Sequence, residues 1–308
     1  MYFPVSGVEA NPLVPLLAAF VISLLTAPAG VSGAFLLLPF QVSILGFTSP
    51  AVSPTNLIYN IVATPGGIYR YVRERRVVWP LVWTVVLGTL PGVFIGAVLR
   101  VRYLADPRAF KVFVGFVLLY LGARLLLEAL GRSRNSPMQA PPQASSGGGR
   151  FLVGGVVTTT SVSLRRIEYE FADRRFSFGT IPTLLLSLVV GVIGGIYSIG
   201  GGSIIAPFLV LVFGLPVYTV AGAALIATFL TSTAGVVFFQ ILSATDLGAG
   251  TVVAPDWLLG VVFGIGGLAG TYVGARAQKR LPDLWIRAVL GSLVVLLALS
   301  YLSELSRS

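Results

Sequence analysis

Two places in this chain set small, polar or helix-breaking residues inside long apolar runs, and they hold its best candidates for chemistry. Tyr197-Ser198-Ile199-Gly200-Gly201-Gly202-Ser203 interrupts one run, and Pro28-Ala29-Gly30-Val31-Ser32-Gly33 interrupts another. Consecutive glycines let the backbone come close to a ligand. A helix that restarts there presents unpaired N–H groups at the positive end of its dipole. Such a terminus holds a phosphate- or carboxylate-like anion without a charged side chain. Gly200, Gly201, Gly202 and Ser203 are therefore candidate anion contacts, with Ser32 and Gly33 in the corresponding place of the other run. Tight helix packing is the competing use of such glycines.

The segments that follow each break carry the remaining polar side chains. Ser53, Thr55, Asn56, Asn60 and Thr64 dot the first, and Thr228, Thr231, Ser232 and Thr233 the second. Asn56, Asn60 and Thr64 are four residues apart and share one helical stripe. Their amides and hydroxyls suit an oxyanion, or they bond across helices for roughly 0.6 kcal/mol each. Asn56, Asn60, Thr228 and Ser232 join the candidate substrate contacts. Tyr59, Tyr197, Gln41 and Gln240 read as interfacial or packing groups. The chain has no His and no Cys, so the common zinc and haem ligand sets are missing and no metal or cofactor is expected. Acidic and basic residues are absent from the middle of these segments, which argues against a buried carboxylate as proton carrier.

The elements that position these residues are membrane helices. Of 308 residues 56% are apolar and 10% charged, far below the quarter or so of charged residues in a soluble domain. No charge falls between Glu9 and Arg70, or between Arg175 and Asp246, and each gap could cross a bilayer more than once. The net charge of +10 comes from short basic clusters at the ends of apolar runs: Arg70, Arg73, Arg75 and Arg76; Arg100 and Arg102; Arg276, Lys279 and Arg280. Orientation signals and lipid-headgroup contacts belong there, and no nucleic-acid partner is expected. Arg124 and Glu128, four apart near a run's end, read as a snorkelling pair.

Apolar segments fall at about 12–28, 33–46, 52–69, 78–99, 109–130, 180–197, 203–214, 217–243, 256–275 and 285–302. Superimposed at an offset of 168, Gly33, Pro39, Phe40 and Gly46 fall on Gly201, Pro207, Phe208 and Gly214, and Asn60 falls on Thr228. Gly88, Gly92 and Gly96 match Gly266, Gly270 and Gly274, a ladder suited to close helix contact. The chain is thus a duplication: a first transmembrane repeat over 1–131, a flexible cytoplasmic linker over 132–178 and a second repeat over 179–308. Pro141-Pro142 and Gly147-Gly148-Gly149 mark the linker, and its Val/Thr-rich part at 152–164 suits a short strand or hairpin.

The segments at 33–46 and 203–214 are too short to span unaided. If each pair, 12–46 and 180–214, enters and leaves on one side, the loops at 70–76 and 276–287 and the linker share a face with 15 of the 21 Lys and Arg. That face is then cytoplasmic, and the halves are inverted relative to each other. The expected fold is all-α: a polytopic helical bundle of two inverted repeats in the cell inner membrane, each a re-entrant or broken helix pair followed by three spans.

Gly194-Gly195-Ile196-Tyr197-Ser198-Ile199-Gly200-Gly201-Gly202-Ser203, with Pro207 and Gly214-Leu215-Pro216, resembles the sulfite exporter TauE/SafE family of membrane permeases. The resemblance covers roughly 12–131 and 180–303. It implies transport, commonly export, of sulfite, sulfonates or related small anions, with no enzymatic activity. The first half departs from the pattern, since Ser32-Gly33 stands where the second has a glycine run. The competing readings are a permease for a cation or other small solute, and an intramembrane lipid-phosphate hydrolase. A hydrolase needs an acid, base or nucleophile with a tuned partner, and neither break carries His, Cys or a carboxylate.

Overall fold

The computed structural model describes residues 1–27, 32–130, 157–171, 174–245, 250–277 and 283–303. Pro28 to Val31, the linker's Pro/Gly stretch, Asp246, Lys279 and Arg280, and the side chains of Glu128 and Ser203, lie outside what it describes. Its helices are α1 (Leu13–Thr26), α2 (Ala34–Ser43), α3 (Val52–Ala63), α4 (Pro65–Arg73), α5 (Trp79–Arg102), α6 (Pro107–Ala129), α7 (Thr180–Tyr197), α8 (Gly201–Phe213), α9 (Val217–Ser243), α10 (Trp257–Ala277) and α11 (Asp283–Ser303). Among the described residues, five helices are long and apolar enough to cross a membrane, drawn from α5, α6, α7, α9 and α10. The helical state satisfies backbone polar groups within each segment, as lipid requires. Large apolar side chains stay exposed on their outer faces, including Leu17 and Val21 on α1, Trp83 and Leu87 on α5, and Val237 and Ile241 on α9.

By contrast, α1 has 14 residues and α2 has 10, about 21 and 15 Å of helix, short of a hydrocarbon core of about 30 Å. The third apolar segment of the first half divides at Pro65. A proline there has no N–H to continue the ladder, so α3 stops and the amphipathic α4 starts, with no buried residue and with Arg70 and Arg73 in its last turn. Its counterpart α9 runs 27 residues without interruption.

The two glycine ladders join the halves to each other. On α5, Gly88 lies against Leu184 and Ser187, Gly92 against Leu188 and Gly191, and Gly96 against Val192 and Gly195, so α5 and α7 run parallel in backbone contact. On α10, Gly266, Gly270 and Gly274 lie against Leu16, Phe20 and Leu24 of α1 in the same way. Counterparts that touch directly run the other way. Gly115, Gly122 and Gly291 pair α6 with α11 antiparallel, and Leu57–Gly235 with Gly67–Leu225 sets α3 and α4 antiparallel to α9. Gly92→Leu should be among the most damaging changes at these seams: a Cβ there would stand 2.7 Å from the Val192 nitrogen and 2.8 Å from the Gly191 carbonyl carbon. We expect a loss of about 1–3 kcal/mol or more, read as early thermal aggregation of the detergent-extracted protein; wild-type melting would contradict so close a seam.

Between the halves lies one β element. Strands β3 (Thr158–Val162), β4 (Arg166–Phe171) and β5 (Arg174–Gly179) form an antiparallel sheet in the order β3-β4-β5, following β1 (Tyr2–Phe3) and β2 (Val8–Glu9) at the N-terminus. The sheet extends beyond the 152–164 stretch through the charged run, because β4 alternates buried Ile167 and Tyr169 with outward Glu168 and Glu170. The Tyr169 hydroxyl meets Thr219 at 2.9 Å at the start of α9, and the Val157 N–H donates to the Arg75 carbonyl after α4. Burial pushes the Tyr169 phenol up to about 12, against the pull of the Thr219 hydrogen bond, so this latch stays protonated at neutral pH. At the other end of the bundle, Asp256 accepts from the Ser6 N–H and hydroxyl, and the Ala51 N–H donates to Val252. The basic 70–76 turn and the sheet thus share one end; the N-terminus, the start of α3 and the 250–256 loop share the other.

Candidate anion site

At the second break, α7 stops at Tyr197 and α8 begins at Gly201. Ser198 carries a left-handed backbone (φ 63°) and its N–H closes α7 on the Gly194 carbonyl at 2.7 Å. A non-glycine residue held there is strained. Gly200 follows at φ 82°, which a side chain would resist. Residues 194–202 are all buried. No side chain caps α8, and among the described residues no acceptor takes the N–H of Gly200, Gly201 or Gly202. A buried helix start without partners is costly.

Glycine lets two neighbouring helices crowd this start. A Cβ on Gly200 would stand 2.7 Å from Thr228 Cγ2 and 3.1 Å from Ser232 Oγ. On Gly201 it would stand 2.7 Å from Thr89 Cγ2, and on Gly202, 2.6 Å from Thr228 Oγ1 and 2.8 Å from the Thr228 nitrogen. All these neighbours lie near the middle of α5 and α9. The hydroxyls of Ser198 and Ser232 are fully buried and have no hydrogen-bond partner among the described residues. Ser232 Oγ thus stands beside the uncapped start of α8, and Ser198 precedes that start by three residues.

The first break reaches the same point through two asparagines. Asn56 Nδ2 donates to the carbonyls of Ala34 (3.1 Å) and Ser198 (3.0 Å), while its Oδ1 accepts from Gln41 Nε2 (3.2 Å). One turn on, Asn60 Nδ2 donates to the Ile199 carbonyl (2.9 Å) and its Oδ1 accepts from the Ser32 hydroxyl (3.4 Å). Each asparagine ties a carbonyl or hydroxyl of one break to a carbonyl of the other. Tyr197 adds a third tie, its hydroxyl donating to the Phe35 carbonyl at 2.6 Å. Ser32 also accepts from the Ala34 N–H at 3.3 Å, so the start of α2 has a partner that the start of α8 lacks.

Ser32, Asn56, Asn60, Gly200, Gly201, Gly202, Thr228 and Ser232 thus come together. Gly33 sits one step aside, where a Cβ would stand 2.9 Å from Ser23 Oγ. Ser203 contributes the third residue of α8. Four of the remaining hydroxyls turn back onto their own helices, Thr55 to Ala51, Thr64 to Asn60, Thr231 to Ala227 and Thr233 to Phe229, at 2.7–2.8 Å, while Ser53 donates to the Ile196 carbonyl at 3.4 Å. Gln41, Tyr59 and Tyr197 are buried packing and bridging groups.

Sequence reasoning missed Ser198, because nothing in a serine announces a left-handed backbone. It also misplaced Arg100. That residue reads as a helix-end charge for lipid headgroups, yet it is fully buried. The chain folds back after α5, and Phe110 of α6 covers the guanidinium at 3.7 Å from the ring centroid. Arg102, two residues on, is exposed as expected.

A profile of the family described as Sulfite exporter TauE/SafE matches residues 15–301. Two Bacillus subtilis (strain 168) proteins are similar along most of their length. "Probable membrane transporter protein YunE" is 22% identical over 252 residues, covering 81% of this chain and 80% of the relative. "Probable membrane transporter protein YjnA" is 22% identical over 290 residues, covering 91% and 95%. No solved structure matches the chain.

Proposed function

Since this chain belongs to the sulfite exporter TauE/SafE family and is a multi-pass membrane transporter, we propose that it is a permease of the cell membrane for small oxyanions, sulfite or an organosulfonate foremost, working in export. The observation that carries this reading is the buried, uncapped start of α8 beside two hydroxyls without acceptors. An oxyanion answers all of these donors at once. Positive dipole and free N–H groups replace the basic side chain that soluble anion sites use.

In this reading the anion sits at the midplane, on Gly200, Gly201, Gly202 and Ser203, with Ser198, Ser232, Thr228 and the second amide hydrogen of Asn60 around it. Ser32 and Gly33 at the start of α2 face it from the other half. Asn56, both of whose amide hydrogens are engaged, holds the two breaks together. The helix pairs form an inverted repeat, a reading supported by the antiparallel course of the touching counterparts, α3 with α9 and α6 with α11. The α1–α2 and α7–α8 pairs then enter from opposite faces, as a site exposed alternately to each side requires. The basic end with the sheet is cytoplasmic.

Purified protein should gain thermal stability with sulfite or methanesulfonate, by about 2.7 kcal/mol at a hundredfold excess over Kd, and liposomes containing it should release preloaded sulfite. Gly201→Val should lose the shift. Liposomes that retain every small oxyanion under any imposed gradient would refute the permease.

A further inference from the structure

Arg100 is the deepest charge among the described residues, and the midplane site does not use it. Its Nε donates to Ser53 Oγ at 3.3 Å, its Nη1 donates to the Leu104 carbonyl, and its Nη2 is buried with no acceptor among the described residues. No carboxylate among the described residues pairs with it. Of the described acids toward this end of the bundle, Asp106 accepts from the Ala109 N–H, Asp256 from Ser6 and the Leu259 N–H, and Glu9 is exposed. A full positive charge held in a low-dielectric setting without a counter-charge is costly, and an ionisable group inside a membrane bundle marks an ion pathway by default.

Fastening the end of α5 is too small a role for it. The Leu104 carbonyl needs one donor, and Arg100 brings a fork whose Nη2 arm has no acceptor among the described residues. What the Nε of the same guanidinium adjoins is more telling. Ser53 accepts from Arg100 and donates to the Ile196 carbonyl at 3.4 Å, two residues before Ser198. Ser53, Asn56 and Asn60 stand at i, i+3 and i+7 on one face of α3. They form a polar stripe about 10 Å long from Arg100 to the two breaks.

We infer that Arg100, with Ser53, is a second oxyanion site: a waystation between the midplane and the end of the bundle that carries the N-terminus and the 103–106 loop. The inference rests on the permease reading above. Its ligand class is the transported one, an anion with at least two oxygens, such as sulfite, a sulfonate or a carboxylate, which the guanidinium fork takes side-on. Arg100 is fully buried, so this end is closed in the conformation described. The waystation fills when α6 and its Phe110 lid move off the guanidinium.

The test is zero-trans sulfite flux in proteoliposomes, with thermal melting measured on the same samples. Arg100→Gln should raise the half-saturating sulfite concentration about tenfold or more, the weight of a charge-assisted hydrogen bond, while melting stays near wild type. Arg100→Lys, which keeps the charge without the fork, should recover part of the loss. If Arg100→Gln does not fold, Arg100→Lys carries the test alone, with half-saturation raised by about threefold or more. Unchanged half-saturation in either variant, with or without early melting, would make Arg100 a structural fastener and overturn the waystation. Absence of flux in the wild type would instead sink the permease itself.

Discussion

Valine in place of Gly202 is expected to reduce sulfite flux about a hundredfold or more while leaving a membrane-inserted protein. The first turn of α8 lies on α9 so closely that a Cβ at 202 would collide with the Ala224 carbonyl and approach the Thr228 nitrogen to 2.8 Å. Neither neighbour can give, since both are backbone inside a continuous 27-residue helix. The turn itself must shift, and with it the N–H groups of Gly200 and Gly201. A displacement of about 1 Å at a site that works by positioning costs about two orders of magnitude. The control is Gly46→Ala. Gly46 also has a left-handed backbone (φ 69°), but nothing lies within 4 Å of its Cβ position. That substitution carries conformational strain of about 1–2 kcal/mol and should leave flux intact. Flux is compared per amount of protein that elutes as a single species after extraction. Wild-type flux in Gly202→Val would remove the start of α8 from the anion's path.

The contrast between these glycines shows what residue types can and cannot reveal. Three glycines in an apolar run announce a break, and the four-residue ladders on α5 and α10 announce backbone contact, because both effects are local properties of a missing side chain. The helix order and most helix ends follow from apolar run length for the same reason. Partners are another matter. Asn56 and Asn60 look like a stripe available to a ligand, yet much of their hydrogen-bonding capacity goes to carbonyls 142 and 139 residues away. Those carbonyls are orphaned by a break in the other half, so the asparagines' task depends on how the halves interlock. Arg100 is the converse. Its place at the end of an apolar run matched a headgroup contact, and only the return of α6 over it, through Phe110, takes it out of reach of lipid. The division at Pro65 was visible as a proline, but an apolar run from 52 to 69 concealed that the chain leaves the buried layer there.

Asn56→Leu and Asn60→Leu should part company, although the residues are one turn apart and both fully buried. Leucine at 56 fills the space but strands the carbonyls of Ala34 and Ser198 and the amide of Gln41, all inside the bundle. Each buried group left without a partner costs about 1–3 kcal/mol, so the variant should lose about 3 kcal/mol or more. The loss is largest here because the two breaks have few other ties across the halves. Leucine at 60 strands the Ile199 carbonyl and the Ser32 hydroxyl, and the Ser32 bond is long at 3.4 Å. Its stability cost should be smaller, and the change should appear in the ligand instead, since Asn60 Nδ2 lies 3.5 Å from where a Cβ on Gly200 would stand. Thermal melting with and without sulfite separates the two. Asn56→Leu should melt early yet retain the sulfite-induced increment in whatever remains folded. Asn60→Leu should melt closer to wild type and lose most of the increment. The reverse pattern would put the anion against Asn56, and the clamp between the breaks at Asn60. Equal loss of increment in both would mean that the anion's seat exists only while the two breaks are held together, with no separate donor on α3.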